Sequence, residues 1–341
     1  IWSPNPAGNR GNLSMGSNCL LDGTGRRINY LRISVTDRCN LRCIYCMPEE
    51  GIPPVPHSDI LSYEEIAYIA ALCAQLGVAH IRLTGGEPLV RPHLASLVAL
   101  LKGIPGIETV SITTNGILLK DQLPGLLAAG LDGVNLSLDT LDASLFEKIT
   151  RRPGLNAVLE ALEAVLLEPS LKLKVNCVPT AENLSQLAPL AGLARDRKLD
   201  VRFIELMPIG LGSAIPHPDE AAVRDILEKA YGSLTPCHHA VGNGPCSYFS
   251  LPGFTGKIGF ISALSHQFCA QCNRVRLTST GFFKPCLQYE QGTDLRPLLH
   301  EEDKKITSAI LSEIQRKPLQ HHFEKSGEVG DEGACMSQIG G

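Results

Sequence analysis

Residues 31–46 read LRISVTDRCNLRCIYC, a β-rich run followed at once by three closely spaced cysteines. These cysteines, Cys39, Cys43 and Cys46, follow the pattern C-x3-C-x2-C. A structural zinc site usually takes four ligands in C-x2–4-C pairs, whereas three thiolates on one loop suit an iron–sulfur cube whose fourth iron is open to another ligand. We therefore interpret the loop as an iron–sulfur site, with zinc binding and buried structural cysteines as the alternatives.

A second group of three cysteines lies near the other end of the chain, at Cys269, Cys272 and Cys286. Iron–sulfur ligation would again leave one iron open, here toward a substrate. A zinc site is the alternative here too, and its candidate fourth ligands are Cys237, His238, His239, Cys246 and Cys335. Arg274 and Arg276 would share one face of a strand, which makes them a candidate anion site or, alternatively, solvated charge on an edge strand.

β-rich runs alternate with helical patterns from the first cysteine group to about residue 210. The strand candidates are residues 31–35, 80–84, 109–114, 133–138, 172–178 and 200–206. The helix candidates are residues 62–76, 92–102, 119–130, 142–149, 154–167 and 183–197. This alternation predicts βα units on a parallel sheet, either doubly wound or a partial barrel. No G-x-G-x-x-G follows the first strand, which disfavours the dinucleotide-binding version.

Composition bounds the remaining possibilities. A length of 341 residues predicts about two domains, and a net charge of −4 argues against a protein that coats nucleic acid. Twelve cysteines are too few for a disulfide scaffold, and the longest uncharged apolar run, residues 66–79, is too short to span a membrane. We expect a mobile leader over 1–25, a partial barrel over 26–232, a smaller subdomain over 233–321 and a mobile tail over 322–341.

The first cysteine loop, together with Gly85-Gly86-Glu87-Pro88 after the second strand, resembles the radical S-adenosylmethionine (SAM) superfamily. That resemblance implies a 4Fe–4S cluster whose open iron binds SAM and whose electron cleaves SAM to a 5′-deoxyadenosyl radical. We expect the two glycines to let backbone groups approach the charged end of SAM closely.

Further motifs narrow the resemblance to the MoaA family, the GTP 3′,8-cyclases of molybdenum-cofactor biosynthesis. They are residues 31–39, 45–48, 81–88, 113–116, 135–139, 174–176, 202–205 and 268–277, with the final Gly-Gly. The resemblance implies an incomplete (β/α)6 TIM-like radical SAM barrel and a C-terminal subdomain with a second 4Fe–4S cluster. It also implies conversion of GTP to 3′,8-cyclo-7,8-dihydro-GTP, beginning with removal of the ribose 3′ hydrogen by the radical.

The resemblance carries over site residues position by position. The SAM-binding positions are Tyr45, Gly86, Glu87, Thr114, Ser137 and Met207, the last also matching a residue that lines the substrate pocket. The GTP-binding positions are Arg32, Arg82, Lys174, Arg202, Arg274 and Arg276. His80 is the seventh GTP-binding position; the family usually has Lys there, and His is shorter and only partly protonated near neutral pH. The tail positions are Gly340 and Gly341, which in the family reach into the barrel.

Partners and compartment follow from the same resemblance. It implies an electron donor, a downstream cyclic pyranopterin monophosphate synthase and a homodimer, in the cytoplasm of a bacterium or the mitochondrial matrix of a eukaryote. The alternatives are a peptide-modifying radical SAM enzyme with an auxiliary cluster, and a zinc or electron-transfer protein. Six cysteines have no assigned chemistry, and we expect Cys73 and Cys177 to belong to the core. These six are Cys19, Cys73, Cys177, Cys237, Cys246 and Cys335.

Overall fold

The structure, a computed structural model, describes residues 19–237, 244–323 and 332–340. Its strands are β1 (Tyr30–Ser34), β2 (His80–Thr84), β3 (Thr109–Thr114), β4 (Gly133–Ser137), β5 (Lys172–Cys177), β6 (Asp200–Ile204), β7 (Thr235–Pro236), β8 (Ser247–Ser250), β9 (Ile258–Ile261), β10 (Arg274–Leu277), β11 (Phe282–Lys284) and β12 (Thr293–Asp294). Its α-helices are α1 (Tyr63–Leu76), α2 (Leu94–Lys102), α3 (Leu119–Ala128), α4 (Ala143–Thr150), α5 (Leu155–Leu166), α6 (Leu187–Gly192), α7 (Glu220–Tyr231), α8 (Asp303–Gln315) and α9 (Met336–Ile339).

All twelve strands belong to one sheet, in the order β12-β11-β10-β1-β2-β3-β4-β5-β6-β9-β8-β7. The eight strands from β10 to β9 in this order are parallel, and antiparallel strands extend each end. The six predicted βα strands form the centre, which confirms the incomplete barrel. The C-terminal part adds strands at both edges, because β9 pairs with β6 and β10 pairs with β1.

Side-chain alternation along the strands separates a dry layer from a polar interior. On β1, Leu31 and Ile33 are completely buried in the apolar core. Arg32, between them in sequence, therefore projects to the opposite face and lines a cavity inside the barrel. The same alternation on β2 buries Ile81 and Leu83 in the core and leaves Arg82 on the cavity. Inward positions of neighbouring strands consequently meet in one place.

The helices begin and end largely where sequence signals indicate. α1 has the predicted capping box, because the Glu65 amide donates to Ser62 Oγ at 3.1 Å and the Ser62 amide donates to Glu65 Oε2 at 2.6 Å. Gly77 ends the helix with φ 118°. The helix predicted over 183–197 is wrong in extent, since a 3-10 turn precedes a helix of only six residues. Pro189 lies in the first turn of this helix. Because it lacks the amide hydrogen that an earlier start would require, it limits how far the helix extends toward residue 183.

Both ends of the chain contain described residues within the ranges expected to be mobile. Within the leader, Leu20 and Asp22 are buried, and an isolated bridge joins Leu21 to Arg27. Residues 1–18 lie outside the described part. Within the tail, residues 332–340 include α9, and Ile339 is buried in a small second apolar cluster. No helix among the described residues is long and apolar enough to cross a membrane.

Candidate active site

One cavity of about 540 Å³ occupies the barrel interior and joins the two cysteine groups. Both sets of three cysteines line it, as do all the predicted SAM-binding residues and six of the seven predicted GTP-binding residues. These lining residues are Cys39, Cys43, Cys46, Cys269, Cys272, Cys286, Tyr45, Gly86, Glu87, Thr114, Ser137, Met207, Arg32, Arg82, Lys174, Arg202, Arg274 and Arg276. The fold therefore brings together side chains from nearly the whole length of the chain.

The first cysteine loop follows β1 and turns tightly, with the Cys46 amide donating to the Cys43 carbonyl oxygen at 2.9 Å. Burial raises the pKa of Cys39 to about 11, and burial together with charge repulsion from Cys39 raises the pKa of Cys46 to about 12. Three thiols so placed ionise together only beside a strong positive charge, which a metal cluster supplies. Their chemistry therefore fits a cluster.

No three His, Cys, Asp or Glu side chains among the described residues converge on one point, as ligands of a single metal ion do. An iron–sulfur cube does not require that convergence, because its three thiolates bind three different irons. The spread arrangement of Cys39, Cys43 and Cys46 is compatible with such a cube.

The glycines after β2 pack against the residues that lead into the first cysteine loop. A Cβ on Gly86 would lie 2.4 Å from the Arg38 carbonyl oxygen, and a Cβ on Gly85 would lie 2.5 Å from that of Thr36. The Gly86 amide donates to the Thr36 carbonyl oxygen at 2.8 Å. In the structure, the absence of a Cβ at these two glycines lets two backbone segments come into contact. This is a role in addition to the expected approach to SAM.

Glu87 is buried and works as a structural anchor beside the loop. Its Oε1 accepts hydrogen bonds from Thr114 Oγ1 at 2.7 Å and from the Leu89 amide at 3.0 Å, and its Oε2 accepts one from the Asn115 amide at 2.7 Å. Burial raises the pKa of this carboxyl to about 7. The Asn115 side chain in turn donates to Asn40 Oδ1 at 2.7 Å, which ties β3 to the cysteine loop.

Tyr45 lies inside the first cysteine loop and is fixed from across the barrel. Its hydroxyl donates to Asp139 Oδ2 at 2.6 Å, and the other oxygen of Asp139 accepts from the Val178 amide at 2.8 Å. Burial raises the pKa of Asp139 to about 6. The ends of β4 and β5 therefore position the loop from the side opposite Glu87.

The second cysteine group lies close to positively charged side chains. Burial opposes ionisation of Cys272, but the charges of Arg274 and Lys317 lower the pKa of this thiol to about 6. Cys269 Sγ accepts a hydrogen bond from the His321 amide at 3.4 Å. A thiolate that forms readily and an amide donated to sulfur are both features of cluster ligation. This group therefore also fits an iron–sulfur cluster.

Three arginines stand side by side between the cysteine groups. Arg276 on β10, Arg32 on β1 and Arg82 on β2 occupy matching positions in the register. Burial is the main cause that lowers the pKa of all three, to about 10 for Arg276. The charges of other cavity arginines contribute as well: Arg276 acts on Arg32, Arg202 on Arg82, and Arg274 on Arg276. Crowded, desolvated cations of this kind are stabilised by a bound anion.

Two more cations approach from the other side of the barrel. Arg202 donates from Nε to Asn176 Oδ1 at 2.9 Å and from Nη2 to Asn135 Oδ1 at 2.6 Å. Lys174 donates to the Tyr248 hydroxyl at 2.9 Å, and burial lowers its pKa to about 8, with the charge of Arg202 adding to the effect. These three partners, Asn176, Asn135 and Tyr248, are uncharged side chains.

Asn135, Asn176 and Tyr248 line the cavity but were not among the predicted site residues. A sequence signal existed for two of them, because Asn135 precedes Ser137 by two positions and Asn176 follows Lys174 by two. Residues two apart on a strand share a face. Tyr248, which reaches the cavity from β8, had no comparable signal.

His80 and Gly340 were predicted site residues but are not among the described residues that line the cavity. His80 Nδ1 lies 3.0 Å from Thr109 Oγ1, and burial lowers the pKa of His80. Gly340 contacts the site through its carbonyl oxygen, which accepts a hydrogen bond from Arg276 Nη1 at 2.5 Å. Gly341 lies outside the described residues.

The cysteines without assigned chemistry divide into several environments. Cys73 and Cys177 are buried in the core, as expected. Cys246 lines the cavity, and Cys237 Sγ lies 3.2 Å from Ser250 Oγ. Cys335 caps the start of α9, and Cys19 is exposed. His238 and His239, the other candidate zinc ligands, lie outside the described residues.

Solved structures share this fold. A Streptococcus suis SuiB structure with bound S-adenosylmethionine matches 84% of this chain and 68% of its own, with a TM-score of 0.61 and 16% identity. The same protein bound to its precursor peptide SuiA matches 89% and 74%, with a TM-score of 0.58. At 16% identity, the likeness establishes a shared fold alone.

Sequence comparisons are more specific. The Radical SAM superfamily matches residues 33–167, and the family described as Molybdenum Cofactor Synthesis C matches residues 199–323. A GTP 3′,8-cyclase of Pelotomaculum thermopropionicum is 44% identical, over 94% of this chain and all of its own. One of Peptoclostridium acidaminophilum is 43% identical, over 94% and 98%. The chain therefore belongs to the GTP 3′,8-cyclase family of radical SAM proteins.

Proposed function

We propose that this protein converts GTP to 3′,8-cyclo-7,8-dihydro-GTP, the first step of molybdenum-cofactor biosynthesis, with SAM as the second substrate. The observation that carries the proposal is the single cavity of about 540 Å³ that is lined both by buried cations and by two groups of three cysteines. A radical generated at one end can reach a triphosphate-bearing substrate held toward the other only if both share an enclosed space. The family relationship supports the same reaction.

Cys39, Cys43 and Cys46 would hold the first 4Fe–4S cluster, with SAM against Thr114 and Ser137. When bound there, the cluster and SAM supply a 5′-deoxyadenosyl radical. The chain's own contribution is orientation and exclusion of water, which protect so reactive a species. The two fixing contacts of the loop, from Glu87 through Asn115 and from Asp139 through Tyr45, support that role.

The cations would bind the triphosphate of GTP. Arg276, Arg32 and Arg82 form one row, and Lys174 and Arg202 face it. Guanidinium groups suit phosphate oxygens because their N–H donors match them in pairs. Their repulsion in the free protein would be relieved when the triphosphate binds, so the site is selective for highly charged anions.

Cys269, Cys272 and Cys286 would hold a second 4Fe–4S cluster with its open iron toward the guanine. The lowered pKa of Cys272 and the amide donated to Cys269 Sγ support this assignment. We assign the barrel to residues 26–232 and the second-cluster subdomain to 233–321, with the edge strands β9 and β10 joining the subdomain to the barrel sheet.

The remaining partners belong to the same proposal. An electron donor must reduce the first cluster, and a cyclic pyranopterin monophosphate synthase would consume the product. We also propose a homodimer, and a reducing compartment because low-potential clusters need one: the cytoplasm in a bacterium, as for the relatives above, or the mitochondrial matrix in a eukaryote.

The decisive experiment is anaerobic reconstitution with iron and sulfide, followed by incubation with SAM, dithionite and GTP. We expect 5′-deoxyadenosine and cyclised GTP in equal amounts. Arg274→Ala and Arg276→Ala should abolish cyclisation while the first cluster keeps its iron. Two intact clusters without either product would refute the reaction, and two zinc ions without sulfide would refute the cluster assignment.

A further inference from the structure

Arg26 makes an unusually complete set of contacts at the edge of the second cysteine group. A guanidinium has five N–H donors, and all five are used. Nε donates to Asp22 Oδ2 at 2.6 Å. Nη1 donates to the carbonyl oxygens of Cys269 at 2.8 Å and Leu319 at 3.0 Å. Nη2 donates to those of Lys317 at 3.3 Å and Pro318 at 2.8 Å.

These contacts join three segments that are distant in sequence. Asp22 and Arg26 belong to the turn before β1, Cys269 begins the second cysteine motif, and residues 317–319 follow α8. The turn itself is fixed by Asp22 Oδ1, which accepts hydrogen bonds from the Thr24 amide and hydroxyl and from the Arg26 amide. Arg26 is 8% exposed and Asp22 is 4% exposed, so the pair is protected from water.

Lys317 extends the same network to the other two cysteines. Its Nζ donates to the Arg274 carbonyl oxygen at 2.8 Å and to the Pro285 carbonyl oxygen at 2.5 Å. Pro285 directly precedes Cys286, and Arg274 lies two residues after Cys272. Lys317 is only 5% exposed and lines the cavity. The segment from Lys317 to His321 therefore contacts the backbone around all three cysteines.

We propose that Arg26 and Lys317 are positioning residues for the second cluster. Arg26 holds the Cys269 loop against residues 317–319, and Lys317 holds the Cys272 and Cys286 segments at a fixed separation. The buried ammonium of Lys317 also raises the reduction potential of the cluster, because a nearby positive charge favours the more negative, reduced state. This inference rests on the proposed second cluster and adds residues that bind neither iron nor substrate.

The test uses the full chain after anaerobic reconstitution, with four variants. Lys317→Met removes the charge and keeps the side-chain length, and Lys317→Arg keeps the charge. Arg26→Gln removes the guanidinium and most of its N–H donors. Arg316→Gln is the matched control, because Arg316 is an exposed neighbour of Lys317 whose guanidinium pairs with Glu313 at 3.4 Å. The readouts are iron and sulfide per chain, the rate of iron release to a chelator, and the spectrum and potential of each cluster by electron paramagnetic resonance.

We expect Lys317→Met and Arg26→Gln to release iron from the second cluster at least fivefold faster than the wild type. The first cluster should keep its iron and its spectral response to SAM. Lys317→Met should also lower the potential of the second cluster, Lys317→Arg should restore it, and Arg316→Gln should match the wild type.

Two results would overturn the inference: unchanged release rate and potential in Lys317→Met and Arg26→Gln, or equal loss of both clusters, which would show a merely structural role. A wild-type chain that binds only the first cluster would instead refute the proposed second cluster. The two failures are therefore distinguishable in the same experiment.

Discussion

Arg32 on β1 lies directly beside Arg276 on β10 in the register of the sheet, and both guanidiniums are buried. Burial is the main cause that lowers the pKa of each; the charge of Arg276 adds to the effect on Arg32, and the charge of Arg274 adds to the effect on Arg276. Replacing one arginine of a buried row of like charges by an apolar side chain of similar length removes both the desolvation of that charge and its repulsion by the neighbouring arginines. We therefore expect the ligand-free Arg32→Met variant to be at least as stable as the wild type in anaerobic denaturant unfolding.

The same variant should lose most of its response to GTP. Ligand binding raises the melting temperature by an amount that grows with the logarithm of the affinity, and one lost phosphate contact of this kind weakens binding about tenfold or more. The shift in melting temperature at fixed GTP concentration should therefore shrink clearly. Arg27→Met, at an exposed position next to the buried Arg26, is the control and should respond like the wild type. A strongly destabilised Arg32→Met chain would contradict the repulsion described above.

Lys174 should make GTP binding depend on pH. Burial, followed by the charge of Arg202, lowers the pKa of Lys174 to about 8. Above that pH the free protein loses the ammonium, so GTP affinity should fall as pH rises, by about tenfold between pH 7 and 9. Lys174→Arg stays protonated throughout this range and should flatten the profile. The measurement is the dissociation constant of GTP at several pH values without SAM turnover.

Lys174 should affect the stability of the ligand-free chain in the opposite direction: its contribution to the free energy of unfolding should rise with pH, whereas GTP affinity should fall. Its folded pKa is below the unfolded value of 10.5, so from about pH 8 to 10.5 the unfolded chain binds more protons. The contribution of Lys174 to the free energy of unfolding therefore rises with pH over that window. Lys174→Met should remove this contribution. An identical pH slope in wild type and Lys174→Met would contradict the assigned shift.

Gly86→Ala should selectively damage the first cysteine loop. A Cβ there would lie 2.4 Å from the Arg38 carbonyl oxygen and 2.7 Å from that of Asp37, and backbone must move to relieve both contacts. We expect a loss of about 1–3 kcal/mol in stability and of most iron from the first cluster, with the second cluster retained. Iron content and cluster spectra measure both effects.

Gly125→Ala is the matched control for that substitution. Gly125 lies within α3, and its added Cβ would meet only the Ala95 Cβ, at 3.7 Å. Alanine in a helix is favoured over glycine by about 0.5–1 kcal/mol, so this variant should be neutral or slightly more stable. Equal iron loss in both variants would exclude a specific role for the contact between Gly86 and the loop.

The barrel strands could be predicted because their signals are local. β2 and β3 begin and end where the β-rich runs do, and the capping box of α1 is present as written in the sequence. The strand that carries Arg274 and Arg276 was expected from the sequence, but its place at the edge of the barrel sheet could not be predicted, because the pairing of β10 with β1 joins residues more than 240 positions apart. Only the folded sheet reveals that Arg276 belongs in the same row as Arg32.

The site shows the same division between local and distant information. Cysteine spacing predicts both ligand sets, but the contacts that hold the second cysteine group in place come from residues that no short motif contains. Arg26 resembles any arginine before a strand, and Lys317 resembles any lysine after a helix. Their roles depend on carbonyl oxygens of distant segments, such as that of Cys269, 243 positions from Arg26. Tertiary contacts of that kind leave no periodic signal in the sequence.

Gly340→Ala should release the end of the chain from the cavity. Gly340 has φ 75°, and an added Cβ would lie 2.7 Å from Thr84 Oγ1 and 3.0 Å from Ser34 Cβ. The strain and the contacts together should displace its carbonyl oxygen from Arg276 Nη1. This contact restrains Arg276, one of the three arginines proposed to bind the triphosphate. We therefore expect the variant to form less cyclised GTP although both clusters are fully loaded. The measurement is cyclised GTP formed per 5′-deoxyadenosine, where a fall below the wild-type ratio indicates an unguided radical. An unchanged ratio and rate would show that this contact does not contribute to the reaction.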